Sequence, residues 1–168
     1  MSRQRPNAIS ASTASSDPNL STTHRASAWF LHSGIQEPTG GVARYYRSDT
    51  GRYHRISTEI TGYVAAAFVY LYKLTGGSGC LEAALRAGRF LTGTAWNPSL
   101  GTYPFEHPDG TLSYFFDCGI IARGLLSLHR LTSERGFLDG ALAAGRAMAR
   151  DSLLIQVASG NFINDTMP

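Results

Sequence analysis

The chain has 168 residues, 43% of them hydrophobic and 16% charged, a balance that supplies a packed core and excludes disorder throughout. Its net charge of +3 is too small for a nucleic-acid footprint. The basic excess is confined to the first third: residues 1–58 carry seven Arg against three acids, and 59–168 carry eight Lys or Arg against nine acids.

The longest uncharged apolar stretch, Ile60 to Tyr72, has thirteen residues, short of the ~20 that a bilayer span needs. Two cysteines make no disulfide framework, and no leader pattern opens the chain. The expectation is a soluble, cytoplasmic protein with no nucleic-acid and no membrane partner.

Residues 1–23 are rich in Ser, Thr, Asn and Ala and poor in large apolar side chains, so they are predicted to form a disordered tail. Ser21, Thr22 and Thr23 are candidate caps for a helix starting near His24. From Val42 to Ile56 the pattern alternates around Ser48-Asp49-Thr50-Gly51, a β-hairpin signal. A helix over about 58–75 follows, apolar nearly all round and so expected to be buried on all sides. The next, about 80–94, is amphipathic: Leu81, Ala84, Leu85, Gly88 and Leu91 share one stripe, and Glu82, Arg86 and Arg89 the other. A second hairpin is predicted from Gly101 to Phe115, turning at Pro108-Asp109-Gly110. It leads into a second buried helix over about 116–132 and an amphipathic one over about 137–151.

These elements repeat. A shift of 57 residues superposes Gly62 on Gly119, Leu71 on Leu128, Leu74 on Leu131 and Thr75 on Thr132. It also pairs Gly79 with Gly136, Leu81 with Leu138, Ala84 with Ala141 and Leu85 with Leu142, and Ala87-Gly88-Arg89 with Ala144-Gly145-Arg146. Shared identities at one gapless offset mark an internal repeat of antiparallel helical hairpins.

An apolar helix alternating with an amphipathic one at this period resembles the (α/α)6 toroids of the six-hairpin glycosidase-like superfamily. That group includes unsaturated glucuronyl hydrolases, N-acylglucosamine 2-epimerases and uronyl epimerases. The resemblance covers roughly 24–153 and rests on Ile56-Ser57-Thr58-Glu59-Ile60-Thr61-Gly62-Tyr63 opening the first buried helix and Phe116-Asp117-Cys118-Gly119 opening the second. It implies an all-α fold: helical hairpins of an incomplete toroid, with small β-hairpins in the connecting loops. Residues 24–153 are then a partial toroid domain and 154–168 a loop stub of a third hairpin. A truncated gene, a partial sequence, or a homo-oligomer that completes the ring are the three explanations for the missing hairpins.

In such a toroid the openings of the apolar helices and the preceding hairpins line one mouth. Glu59 and Asp117 are the catalytic candidates there, an acid/base pair with the wider spacing of an inverting mechanism. They lie 58 residues apart, one more than the repeat, so ideal helices point them about 100° apart. Capping of the helix dipole is the competing role for both. His54 is the third catalytic candidate, as a base or proton relay, against an ordinary loop histidine. Arg44 and Arg55 are candidate anion holders, against a solvated hairpin edge. Tyr46, Trp96 and Tyr103 are candidate sugar-stacking platforms, and Glu106 and His107 complete the substrate-binding set.

Phe105, Tyr114 and Phe116 fall at the same level of the mouth without an assigned role. No zinc-site spacing, GxGxxG, P-loop, HExxH or GxSxG motif occurs, so no metal and no cofactor are expected. The resemblance implies a carbohydrate or other small-molecule ligand, with hydrolysis or sugar epimerisation of uronate-containing or other acidic glycans. The alternative is a non-catalytic glycan- or protein-binding repeat, or an inactive remnant of a longer enzyme.

Overall fold

A computed structural model describes the backbone of residues 18–159 and the side chains of residues 21–151. Helix α1 spans Pro18–His32, β1 Val42–Arg47, β2 Arg52–Ser57 and α2 Thr58–Thr75. Helix α3 spans Ser78–Arg89 and runs into a π-helical segment, Phe90–Ala95. Then come β3 at Glu106–His107, α4 at Phe115–Thr132 and α5 at Arg135–Ser159.

The all-α expectation is corrected by a three-stranded antiparallel sheet, ordered β1-β2-β3, which makes the described residues a mixed α and β fold with five α-helices. One end of the sheet belongs to the core. Val42, Ala43, Ile56 and Ser57 are buried, and the Val42 N–H donates to Thr61 Oγ1 of α2 at 3.0 Å.

The first hairpin has the expected bounds, with Tyr46 opposite Tyr53 and Arg47 opposite Arg52. The second does not form. Glu106 and His107 pair instead with Ser57 and Ile56 of β2. The chain then closes only a loop, in which Phe105 N–H donates to Leu112 O at 2.7 Å, and Tyr114 is extended at the entry to α4. The unfilled edge of β2 supplies partners to this segment, and a local return strand does not. The Thr58 hydroxyl, donating to Pro104 O at 2.7 Å, ties the same segment to the start of α2.

Helix α2 begins where Ser57 accepts the Ile60 N–H at 3.2 Å, an N-cap made by the last residue of β2. It ends at Gly76 in the left-handed conformation, whose N–H donates to Tyr72 O at 2.8 Å. Helix α4 ends in the same way at Ser133, one repeat further on, donating to His129 O at 2.8 Å. Thr75 and Thr132 also match: each hydroxyl donates to the carbonyl four residues back and accepts the amide two residues ahead. The repeat therefore extends to the hydrogen bonds that stop each helix.

Helices α2 and α4 lie side by side, with α3 against α2 and α5 against α4. Gly62 and Gly124 set how closely the two central helices approach. A Cβ on Gly62 would lie 2.9 Å from Ile121 Cα, and one on Gly124 would strike the Gly62 carbonyl.

The expectation that both helices are buried on all sides fails. Tyr63, Tyr70 and Leu74 of α2 and Phe115 and Phe116 of α4 are exposed. Tyr63, Ala66, Ala67, Tyr70, Ile120 and Arg123 line a largely apolar hollow of about 290 Å³. The neighbours of each helix cover only part of its circumference, so the remaining apolar side chains stay in solvent whatever the composition.

Of the predicted tail, residues 1–17 lie outside the described residues, while α1 starts at Pro18 instead of near His24. Pro is well placed in a first helical turn, where its missing N–H costs no bond. Of the predicted stub, 154–159 belongs to α5, and the remainder lies outside the described residues. No helix among the described residues is long and apolar enough to cross a membrane.

Candidate functional site

Glu59 sits in the first turn of α2 and Asp117 in the first turn of α4. Because these helices pack side by side, both carboxylates come to one end of the central layer. Asp117 is buried, and its Oδ2 has no hydrogen-bond partner among the described residues. Burial first and the charge of Glu59 second push its pKa up to about 6, against the opposing effect of Arg44. Asp117 thus senses both Glu59 and the hairpin arginine. The rotation expected from a separation of 58 residues does not isolate the two acids.

The hairpin supplies the basic side. Arg44 Nη1 donates to Glu106 Oε1 at 3.0 Å and Arg55 Nη1 to Oε2 at 3.1 Å, so one carboxylate bridges both guanidinium groups. The Arg44 guanidinium also lies 4.2 Å above the Phe105 ring, a cation–π contact. Phe105 in turn meets Tyr114 edge-on, with centroids 5.1 Å apart. Tyr114, Phe115 and Phe116 are all exposed where α4 begins, and form an aromatic rim beside the acidic pair.

The other candidates are placed elsewhere. His54 stacks on Tyr45 at 4.9 Å, its Nδ1 is buried without a partner among the described residues, and it lines an open cavity of about 470 Å³ with Arg47, Thr50, Arg52 and Tyr53. Tyr46 is exposed and packs edge-on against Tyr53 across the hairpin. Trp96 and Tyr103 pack edge-to-face at 5.2 Å, and Tyr103 is only 1% exposed. The Tyr103 hydroxyl, its pKa raised by burial and by Cys118, is therefore a core group and no stacking platform. His107 is half-buried, edge-on to Phe90 at 5.2 Å.

Charge interactions and ion pairs thus link Glu59, Asp117, Arg44, Arg55 and Glu106, whereas the ring contacts of His54, Tyr46, Trp96, Tyr103 and His107 are made with other residues. Phe105 and Tyr114 take the aromatic places beside the acids, and Phe115 joins them. The signal for Phe115 was available in the consecutive aromatics at 114–116.

Among the described residues, no group of three or more His, Cys, Asp or Glu side chains is placed to hold a metal ion. No family model, curated protein or solved structure matches the chain.

Proposed function

We propose that this site acts on carbohydrate, and specifically on uronate-containing or other acidic glycans, by hydrolysis or sugar epimerisation. The observation that carries the reading is the Asp117 carboxyl, buried with one oxygen unpartnered among the described residues and a pKa of about 6, beside Glu59 at the head of the adjacent helix. An acid whose pKa lies near neutrality gives up and regains a proton readily, as a general acid must.

In hydrolysis, Asp117 gives its proton to the leaving oxygen while Glu59 takes one from the attacking water. In epimerisation, one carboxylate removes the proton from the carbon next to the uronate carboxyl, and the other carboxyl delivers a proton to the opposite face. The rim of Tyr114, Phe115 and Phe116 offers ring faces to a sugar, and the hairpin arginines offer charge to an acidic one. A relationship to the six-hairpin glycosidase-like proteins is part of the proposal, as is a cytoplasmic location. Two free cysteines, Cys80 and Cys118, are compatible with a reducing compartment.

The test is a screen of uronate-containing oligosaccharides followed by Glu59→Ala and Asp117→Ala. Loss of about 10²–10⁴ in rate with the helical content retained is expected. Wild-type-like turnover in either variant removes that residue's role. The exposed Tyr63–Tyr70 side of α2 favours a second reading, a non-catalytic binding repeat; saturable glycan binding without turnover would select it.

A further inference from the structure

Arg44 and Arg55 fall on the same rung of the hairpin register, between the paired positions Ala43–Ile56 and Tyr45–His54, without being a bonded pair themselves. Like charges at opposed positions repel, and Arg55 has a φ of 34°, a left-handed conformation that a non-glycine residue adopts only under constraint. Both features gain a purpose if the two guanidinium groups are held ready for an anion between them. One already sits there: each oxygen of the Glu106 carboxylate takes a hydrogen bond from a different arginine.

We propose that Arg44 and Arg55 form a subsite for the carboxylate or sulfate of an acidic ligand, and that Glu106 fills it from within the chain until a ligand displaces it. This rests on the reading of the neighbouring acids as a site for acidic sugars. The arginine side chains are 40% and 51% exposed, and ion pairs that open to water are weak enough to exchange. Arg55 and Glu106 also border an open cavity of about 170 Å³ with Phe105, Asp109 and Thr111, which gives the incoming group a place beside the pair. A carboxylate from the ligand reproduces the geometry that Glu106 now satisfies, and the Phe105 ring under Arg44 keeps one fork in position during the exchange.

The experiment is an NMR titration of the wild type, Glu106→Gln and the Glu106→Gln/Arg55→Gln double variant with D-glucuronate, D-glucose and inorganic sulfate, at constant ionic strength. Removing the competing carboxylate is expected to tighten D-glucuronate and sulfate by about tenfold and leave D-glucose unchanged. The added Arg55→Gln change is expected to cancel the gain. Glu106→Asp, too short to span both arginines, shows the same direction with a smaller gain and carries the test if Glu106→Gln does not fold.

Unchanged or weaker anion binding in these variants, or a gain that survives Arg55→Gln, overturns the proposal. The two readings fail separately. A sulfate gain with no sugar bound supports the subsite and defeats the carbohydrate reading, whereas sugar turnover without an anion gain does the reverse.

Discussion

Asp117 and Glu59 open two helices that lie side by side, and the charge of Glu59 helps to keep the Asp117 proton in place. This coupling makes Asp117 a burden on the fold once it ionises. Its folded pKa of about 6 stands above the 3.8 of an unperturbed carboxyl, so the folded state binds the proton more tightly than the unfolded one. The stabilisation is complete below about pH 4 and is lost as pH rises through 6. Asp117→Asn is expected to raise stability at pH 7–8 by about 1–2 kcal/mol and to flatten the pH dependence between about pH 4 and 6. Thermal melts from pH 4 to 8 check this; an Asn variant less stable at pH 8 than the wild type would contradict it.

Removing the neighbouring charge tests the same coupling from the other side. In Glu59→Gln the Asp117 pKa is expected to fall from about 6 towards the ordinary carboxylate value, without reaching it, because burial remains the larger cause. Carboxyl-carbon NMR titration of Asp117 reads the shift directly. An unmoved titration would mean that the two carboxylates do not interact.

Gly88 and Gly145 are repeat equivalents in different surroundings. A Cβ on Gly88 would strike the Leu128 side chain and lie 2.8 Å from Phe137, both buried, whereas none of the described atoms considered lies within 4 Å of one on Gly145. Gly88→Ala is expected to cost about 1–3 kcal/mol by overpacking. Gly145→Ala, on an exposed part of α5, is expected to gain about 0.5–1 kcal/mol from helix propensity. Urea denaturation of the two variants separates them by sign.

Ser133 ends α4 with a φ of 60°, the role that Gly76 fills for α2 with a φ of 70°. A left-handed conformation costs a serine roughly 1 kcal/mol more than a glycine. Ser133→Gly is therefore expected to stabilise the protein by about 0.5–1 kcal/mol, and Gly76→Ala to destabilise it by a similar amount. Melting temperatures that move in the same direction for both would refute this account.

Helix positions were legible in the sequence because apolar periodicity and turn residues are local signals. Thr58–Thr75 and Phe115–Thr132 lie where the pattern puts them, within a residue. The partner of a short extended segment is a non-local choice. Glu106 and His107 carry no mark that selects β2 over a return strand, and so the third strand's pairing was not foreseen. The site divides along the same line. Glu59 and Asp117 were found through their place at helix openings, which the repeat fixes. Tyr103 reads as an aromatic near the mouth and becomes a core residue because Trp96 packs against it, a contact that no spacing rule encodes.

The pairing of β3 with β2 also bears on how the acids are held. Glu106 and His107 belong to the second repeat but are stitched to the last residues of β2, and the next residue, Thr58, begins the helix that carries Glu59. The Thr58 hydroxyl adds a clamp to Pro104. The separation of the two carboxylates is therefore gauged by backbone registration between the repeats as well as by the packing of α2 on α4. The sheet works as a caliper: a slip of one rung in β3 would turn Glu106 away from both arginines.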